Sequence, residues 1–205
     1  MYVIAVNGSP RKEGNTEILL NTVLNGLKNK GWETDYVRIG GKAFRGCTAC
    51  TSCFRNKDMK CVLDDGFNEV FEKMAKADAI LIGSPTYFAD VTAETKGLLD
   101  RAGMVAMAND NALRGKIGSA VVAVRRGGAL HVFDSINHMF HLSRMVVPGS
   151  TYWNFGFGRG KGEVNEDEEA LGNMAHLAEV IDWLAKAVKP VMDSYPQQGS
   201  ACSDR

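Results

Sequence analysis

The chain has 205 residues, 45% hydrophobic and 23% charged, with 24 basic and 24 acidic side chains. That is enough for one sizeable core in a soluble globular protein. The zero net charge argues against nucleic acid or an anionic membrane as partner.

No stretch approaches the roughly 20 apolar residues of a membrane span. The N-terminus runs straight into an apolar segment without a signal-peptide pattern. Five cysteines without a secretory signal point to reduced thiols, metal or redox work in the cytoplasm, not to a disulfide frame.

In chain order, Tyr2 to Val6 is a continuous apolar run and is expected as a buried parallel strand. After a polar stretch from Asn7 to Thr16, Leu20, Val23, Leu24 and Leu27 fall on one face of a helix that Gly31 ends. Glu33 to Arg38 alternates weakly and is expected as a second, less buried strand. Gly40 to Cys61 is irregular and rich in Gly, Lys and Cys. Asp64 or Asp65 can cap a helix bearing Phe67, Val70, Phe71 and Met74. Ala79 to Gly83 is a third strand, and a loop from Ser84 to Val91 leads into a helix with Leu98, Leu99 and Ala102. Ile117 to Val124 is a fourth strand, Arg125 to Ala129 a loop, and Phe133, Ile136 and Phe140 mark the next helix. Met145 to Val147 is expected as a short fifth strand stopped by Pro148, and Asn154 to Asn165 as a Gly-rich loop without an element. The last helix runs from about Glu168 to Val188, with Met174, Leu177, Ala178 and Ile181 inward. Residues 191–205 have the composition of a disordered tail, in which Cys202 is expected as an exposed free thiol.

Five strand–helix units call for a parallel sheet with helices on both faces. The expected architecture is a doubly wound, three-layer αβα domain over residues 1–190, with strand order 2-1-3-4-5 and a Cys-rich loop at 40–63. Its ligand belongs at the carboxyl ends of strands 1 and 3, the topological switch point.

Four constellations could carry chemistry. In the first loop, Gly8 and Gly14 allow a tight turn, Ser9, Asn15 and Thr16 offer short donors, and Arg11 and Lys12 add charge. At a helix N-terminus this makes a phosphate cup, and its spacing is neither a Walker A loop nor G-x-G-x-x-G. The second loop, Ser84 to Val91, combines a stiff Pro85 with Thr86 and the flat surfaces of Tyr87 and Phe88, which suits a planar ring. The third, Arg125-Arg126-Gly127-Gly128, offers close backbone approach and a cation for developing negative charge. The fourth is Cys47-x2-Cys50-x2-Cys53-x7-Cys61, four thiols within fifteen residues and a strong metal signal.

Other motifs carry less. His138 and His141 lie at i, i+3 with no further ligand at metal spacing, and are expected as core or surface residues. Lys96, Asp100 and Arg101 are expected to be structural. Gly156 to Gly162 does not fit the dinucleotide spacing, and there is no G-x-S-x-G elbow.

Over residues 1 to about 188 the chain resembles the flavodoxin-like NADPH-dependent FMN reductases and iron–sulfur flavoproteins. The resemblance rests on the Gly8–Thr16 loop, the four cysteines, Gly83-Ser84-Pro85-Thr86-Tyr87 and Arg126-Gly127-Gly128. It implies FMN bound by Ser9, Arg11, Lys12, Gly14, Asn15 and Thr16 at the phosphate. It further implies Pro85, Thr86, Tyr87, Phe88 and Val91 in the second loop, and Arg126, Gly127 and Gly128 facing the flavin. NADPH or NADH, or a ferredoxin-like donor, would supply electrons to a small-molecule acceptor or redox protein. No side chain is expected to be catalytic, and a homodimer or homotetramer in the cytoplasm is implied.

For Cys47, Cys50, Cys53 and Cys61 three readings stand. Iron–sulfur flavoproteins carry a similar motif in this place that binds a 4Fe–4S cluster. The structural zinc lobe of medium-chain alcohol dehydrogenases uses the same gaps. Related oxidoreductases also keep such cysteines as plain thiols. The wider alternatives are a cluster-free quinone or FMN reductase, a flavodoxin-type electron carrier, and a non-flavin binding domain.

Overall fold

The structure is a computed structural model that describes residues 1–196. Its strands are β1 (Tyr2–Asn7), β2 (Glu33–Arg38), β3 (Ala79–Pro85), β4 (Ile117–Val124) and β5 (Phe155–Phe157). They form one parallel sheet in the order β2-β1-β3-β4-β5, the order the strand–helix alternation predicts. The helices are α1 (Asn15–Asn29), the short α2 (Ser52–Asn56), α3 (Phe67–Lys76), α4 (Ala93–Ala108), α5 (Ala129–Leu142) and α6 (Glu168–Val188).

Alternation along the strands divides the apolar residues between two cores. Ile4, Val6, Ile80, Ile82 and Val122 face α3, α4 and α5, where Phe71, Leu98 and Phe140 meet them. Val3, Ala5, Leu81 and Val121 face α1 and α6, where Leu20, Val23, Leu177 and Ile181 close the second layer. Every strand except the edge strands is buried on both faces, which is why their sequences read as unbroken apolar runs. The sheet's carboxyl edge is thereby fixed as a rigid rim for the loops that follow β1, β3 and β4.

The fifth strand is not where the sequence puts it. Met145 to Val147 contributes only an isolated bridge between Val146 and Ile117. Pro148 has no N–H to continue a ladder, so the chain leaves the sheet. It returns at Phe155, where the Asn154 carbonyl accepts the Val122 N–H, and the Gly158 N–H donates to the Val124 carbonyl. The Asn154 side chain pins the return, donating through Nδ2 to Ser119 Oγ and the Ala120 carbonyl, each at 3.1 Å. The segment read as a plain loop therefore holds β5 and a 3-10 turn at Glu163–Glu166. Gly156 is there for close packing: a Cβ would lie 2.6 Å from Val164 and 2.7 Å from Leu19.

Two smaller differences concern ends. The N-cap of α3 is Gly66 at φ +85°, and Asp65 before it accepts the Phe67 N–H through Oδ1 at 3.4 Å while its Oδ2 accepts from the Arg45 N–H and Arg101. Beyond α6, Lys189–Ser194 forms a 3-10 turn and the Tyr195 hydroxyl donates to the Arg144 carbonyl at 3.0 Å. The expected tail thus begins with ordered residues, and Cys202 lies outside the described ones. Among the described residues, no helix is long and apolar enough to cross a membrane.

Candidate functional site: a cleft at the carboxyl edge of the sheet

The loop after β1 is shaped by its own short side chains. Asn7 Oδ1 accepts the Ser9 N–H at 2.8 Å and Ser9 Oγ accepts the Arg11 N–H at 3.3 Å, which curls the backbone toward α1. Gly8 donates its N–H to the Gly83 carbonyl, and a Cβ there would sit 1.8 Å from Thr95 Oγ1. Thr92 caps α4 and donates its hydroxyl to the Gly8 carbonyl at 3.0 Å, so the loops after β1 and β3 are tied together.

These loops enclose a cavity of about 280 Å3. Ser9, Arg11, Asn15 and Thr16 line one wall, and Pro85, Thr86 and Tyr87 another. Arg125, Gly158 and Arg159 complete it. The N-terminus of α1 and three arginines thus line one space, which favours a phosphate dianion. Thr86 Oγ1 is buried and has no hydrogen-bond partner, an unsatisfied group suited to the polar edge of a ligand. The cavity's donors and charge fit FMN.

Several expected contacts sit differently. Lys12 is exposed and outside the cavity, and Gly14 is the N-cap of α1. Asn15 lines the cavity, yet its amide is engaged by the segment after β5: Nδ2 donates to the Gly160 carbonyl, and Oδ1 accepts the Gly162 and Val164 N–H groups. Phe88, at φ +46°, projects fully into solvent, so Tyr87 alone gives that loop's ring surface to the cavity. Val91 is buried in the core beside it.

Arg126, Gly127 and Gly128 line a second cavity, of about 290 Å3, with Tyr152, Trp153 and Phe157. Gly128, at φ +88°, presses the turn against the second loop: a Cβ would lie 3.1 Å from Ala89 Cα and 3.2 Å from Thr86 Cγ2. The turn therefore separates two adjoining cavities, with Arg125 on the phosphate-loop side and Arg126 on the aromatic side. Sequence reasoning placed Arg125 in the third loop but chose Arg126 as the arginine facing the flavin, and it did not place Arg159 in the cleft. The only signal was their position directly after β4 and β5, at the sheet edge where ligands bind.

The four cysteines come together. Cys47, Cys50, Cys53 and Cys61 are free thiols lining one narrow cavity of about 20 Å3, floored by Arg101, Met104 and Val105 of α4. Cys47 and Cys50 are exposed, so the cavity opens outward. The segment reaches this shape through left-handed residues at Ala49, Thr51, Lys57 and Met59. The Ser52 N–H and hydroxyl, with the Thr48 hydroxyl, lower the Cys50 thiol to about 7, while burial raises Cys53. Burial lowers the pKa of Arg101, but Asp65 and Cys61 outweigh it and hold the guanidinium more basic than usual. Among the described residues, no three His, Cys, Asp or Glu side chains converge on a single metal-ion position. His138 lines a groove of about 530 Å3 between α4 and α5, beside Cys47.

The fold and cleft define a doubly wound flavin-binding domain, and the comparisons agree. Residues 1–160 match the family model of NADPH-dependent FMN reductase. An iron-sulfur flavoprotein of Methanocaldococcus jannaschii is 33% identical over 196 residues, covering 92% of this chain and 100% of that protein. RosB, solved with a bound 8-demethyl-8-formylriboflavin-5'-phosphate intermediate, superposes with a TM-score of 0.66 at 17% identity, covering 100% of this chain and 93% of that one. A flavodoxin from the domain Archaea superposes at 0.57 and 18% identity, covering 92% and 99%. The chain belongs to the flavodoxin-like NADPH-dependent FMN reductase family and is a flavin-binding oxidoreductase.

Proposed function

We propose that the protein is an FMN-dependent oxidoreductase. It takes electrons from NADPH or NADH, or from a ferredoxin-like donor, and delivers them to a small-molecule acceptor or redox protein. The observation that carries this reading is the cavity where a helix N-terminus, three arginines and the unpartnered Thr86 hydroxyl meet. Ser9, Arg11, Thr16 and Arg159 would hold the phosphate, and Pro85, Thr86 and Tyr87 would face the remainder of the cofactor. FMN supplies, when bound, both two-electron exchange with a nicotinamide and one-electron exchange with a metal centre. The chain's own part is to bind and orient: Arg125 places positive charge beside the cleft, which favours the more negative reduced state. No side-chain nucleophile or general base is required.

Cys47, Cys50, Cys53 and Cys61 would each ligate one iron of a 4Fe–4S cluster. Their shared cavity supports this, as does the iron–sulfur designation of the relatives. A cluster would enter from the exposed side, at Cys47 and Cys50. Zinc would instead draw all four sulfurs to about 2.3 Å from one point. Reduced cysteines suit the cytoplasm.

Purification without oxygen, followed by absorption spectroscopy and iron, sulfide and zinc assays, tests both cofactors. The expected result is one FMN and about four irons per chain. Zinc without iron would favour the zinc reading, and neither metal the cluster-free reductase. Failure of the metal-free protein to take up FMN would overturn the flavin reading.

A further inference from the structure

Arg101 is the largest fully buried side chain, at 1% exposure, and it floors the cysteine cavity. Nη1 donates to Asp65 Oδ2 at 2.7 Å and to the Arg45 carbonyl at 3.1 Å, and Nη2 to the Leu63 carbonyl at 3.3 Å. The guanidinium lies over the Phe67 ring, its Cζ 4.2 Å from the centroid. Its Nε–H is buried and has no acceptor. A guanidinium buried only to tie loops together is expected to use every N–H, because an orphaned buried donor costs about as much as a lost hydrogen bond. The unsatisfied donor and the uncommon depth of the charge both need an explanation. The four thiols over the same floor provide one.

We infer that Arg101 is the charge-setting residue of the cysteine centre: its guanidinium is the counter-cation for the negative charge gathered at Cys47, Cys50, Cys53 and Cys61, and Asp65 attenuates it. This rests on the reading that these cysteines hold an iron–sulfur cluster. A cluster on four thiolates is anionic, and reduction adds one electron to it while Arg101 keeps its proton in both states. A nearby buried cation therefore stabilises the reduced form more than the oxidised one, and local charge with hydrogen bonds to sulfur is how a protein sets such a potential. Asp65, 7% exposed and paired to the same guanidinium, opposes that effect without lining the cavity. The two residues are thus expected to move the potential in opposite directions. A purely structural clamp would not do this.

The test uses full-length protein prepared without oxygen, as wild type, Asp65→Asn, Arg101→Lys and Arg101→Gln. Iron and sulfide content is measured first, and the cluster midpoint potential then follows from a dithionite titration monitored by electron paramagnetic resonance. Arg101→Gln should lower the equilibrium constant for reduction at least ten-fold, which is about 59 mV for a one-electron couple. Asp65→Asn should shift it the other way, and Arg101→Lys should stay near wild type. Should Arg101→Gln fail to fold, Asp65→Asn decides, and an unmoved or lowered potential there overturns the inference. Unmoved potentials in variants with full iron content overturn it while the cluster reading survives. Wild-type protein without iron and sulfide removes both.

Discussion

The Asn15 amide and the Gly160 carbonyl are joined by a 2.9 Å hydrogen bond across 145 residues of chain. Asn15 Oδ1 accepts the Gly162 N–H in return, also at 2.9 Å, so the first residue of α1 clasps the segment that carries Arg159 into the cleft. Arg11 Nη1 adds a further tie, donating to the Arg159 carbonyl at 3.1 Å. The side chain expected to touch phosphate also holds the wall in place.

Asn15→Ala should therefore act in two ways. It leaves backbone donors near Gly162 and Val164 unpaired, which lowers stability by about 1–3 kcal/mol. It also frees Arg159, so FMN affinity should drop roughly 10-fold, as for one lost charge-assisted contact. Calorimetric titration of FMN into metal-free protein, beside a thermal melt, reads both. A normal Kd with a lowered Tm would leave the clasp as a stability device only.

The split of Arg125 from Arg126 gives a sharper comparison. Arg125 shares the phosphate-loop cavity, whereas Arg126 faces the aromatic one. Arg125→Ala should weaken FMN by roughly 10- to 100-fold, the scale of one hydrogen bond to a charged group. Arg126→Ala should leave FMN affinity within about 3-fold, an effect near 0.6 kcal/mol. The opposite ranking would return Arg126 to the flavin.

Periodicity made the core legible before any coordinates. Leu20, Val23, Leu24 and Leu27 recur at helical spacing and are buried against the sheet. The phosphate loop was legible because its glycines, hydroxyls and arginine crowd one strand-to-helix turn. What was hidden depends on contacts between segments far apart in sequence. Nothing local distinguishes Arg125 from Arg126, since alternating side chains around a turn take their direction from the final pairing register. β5 was hidden because Phe155-Gly156-Phe157 is too short for a pattern, and its glycine meets a packing demand set by Leu19 and Val164. Arg101 reads as an ordinary helical arginine until Phe44, Phe67 and Asp65 close around it.

Asp182 makes an acid-sensitive clasp between α6 and the turn that joins α1 to β2. Asp182, 5% exposed, accepts the Trp32 indole N–H at 3.0 Å and the Lys186 ammonium at 2.7 Å. Burial alone would raise its pKa, but Lys186 and Trp32 outweigh that and hold the carboxyl below the usual range. A depressed folded-state pKa means the carboxylate contributes stability above its unfolded value near ~3.9, and that this is lost as pH falls through the folded value. Asp182→Asn should cost about 1 kcal/mol at neutral pH, since Lys186 is solvent-exposed and its attraction is screened. The Tm gap between wild type and variant should narrow as pH is lowered from 6 to about 3. A gap constant over that range would show that the carboxylate's charge does not matter.

The last prediction concerns the aromatic cavity. Leu130, Tyr152, Trp153 and Phe157 are each 45% or more exposed, and all line the same recess beside the Arg126–Gly128 turn. Tyr152 and Trp153 pack with centroids 5.1 Å apart, and Trp153 leans on Phe155 at 5.9 Å, so the patch is an ordered surface anchored on β5. Aromatic side chains gathered this way are typical of interface cores. The patch adjoins the cleft through a turn only a few residues long, so a second subunit seated there would also shield the open side of the cofactor site from water. Light scattering at micromolar concentration should therefore report a dimer or tetramer for the wild type. Trp153→Glu should shift the mass toward the monomer, because a buried unpaired charge at an interface centre costs several kcal/mol. Its FMN affinity should stay within about 3-fold, since no phosphate-cavity residue is touched. A wild-type monomer at that concentration would leave the recess as a site for a small aromatic co-substrate, and Trp153→Ala would then raise KM for the acceptor without changing the mass.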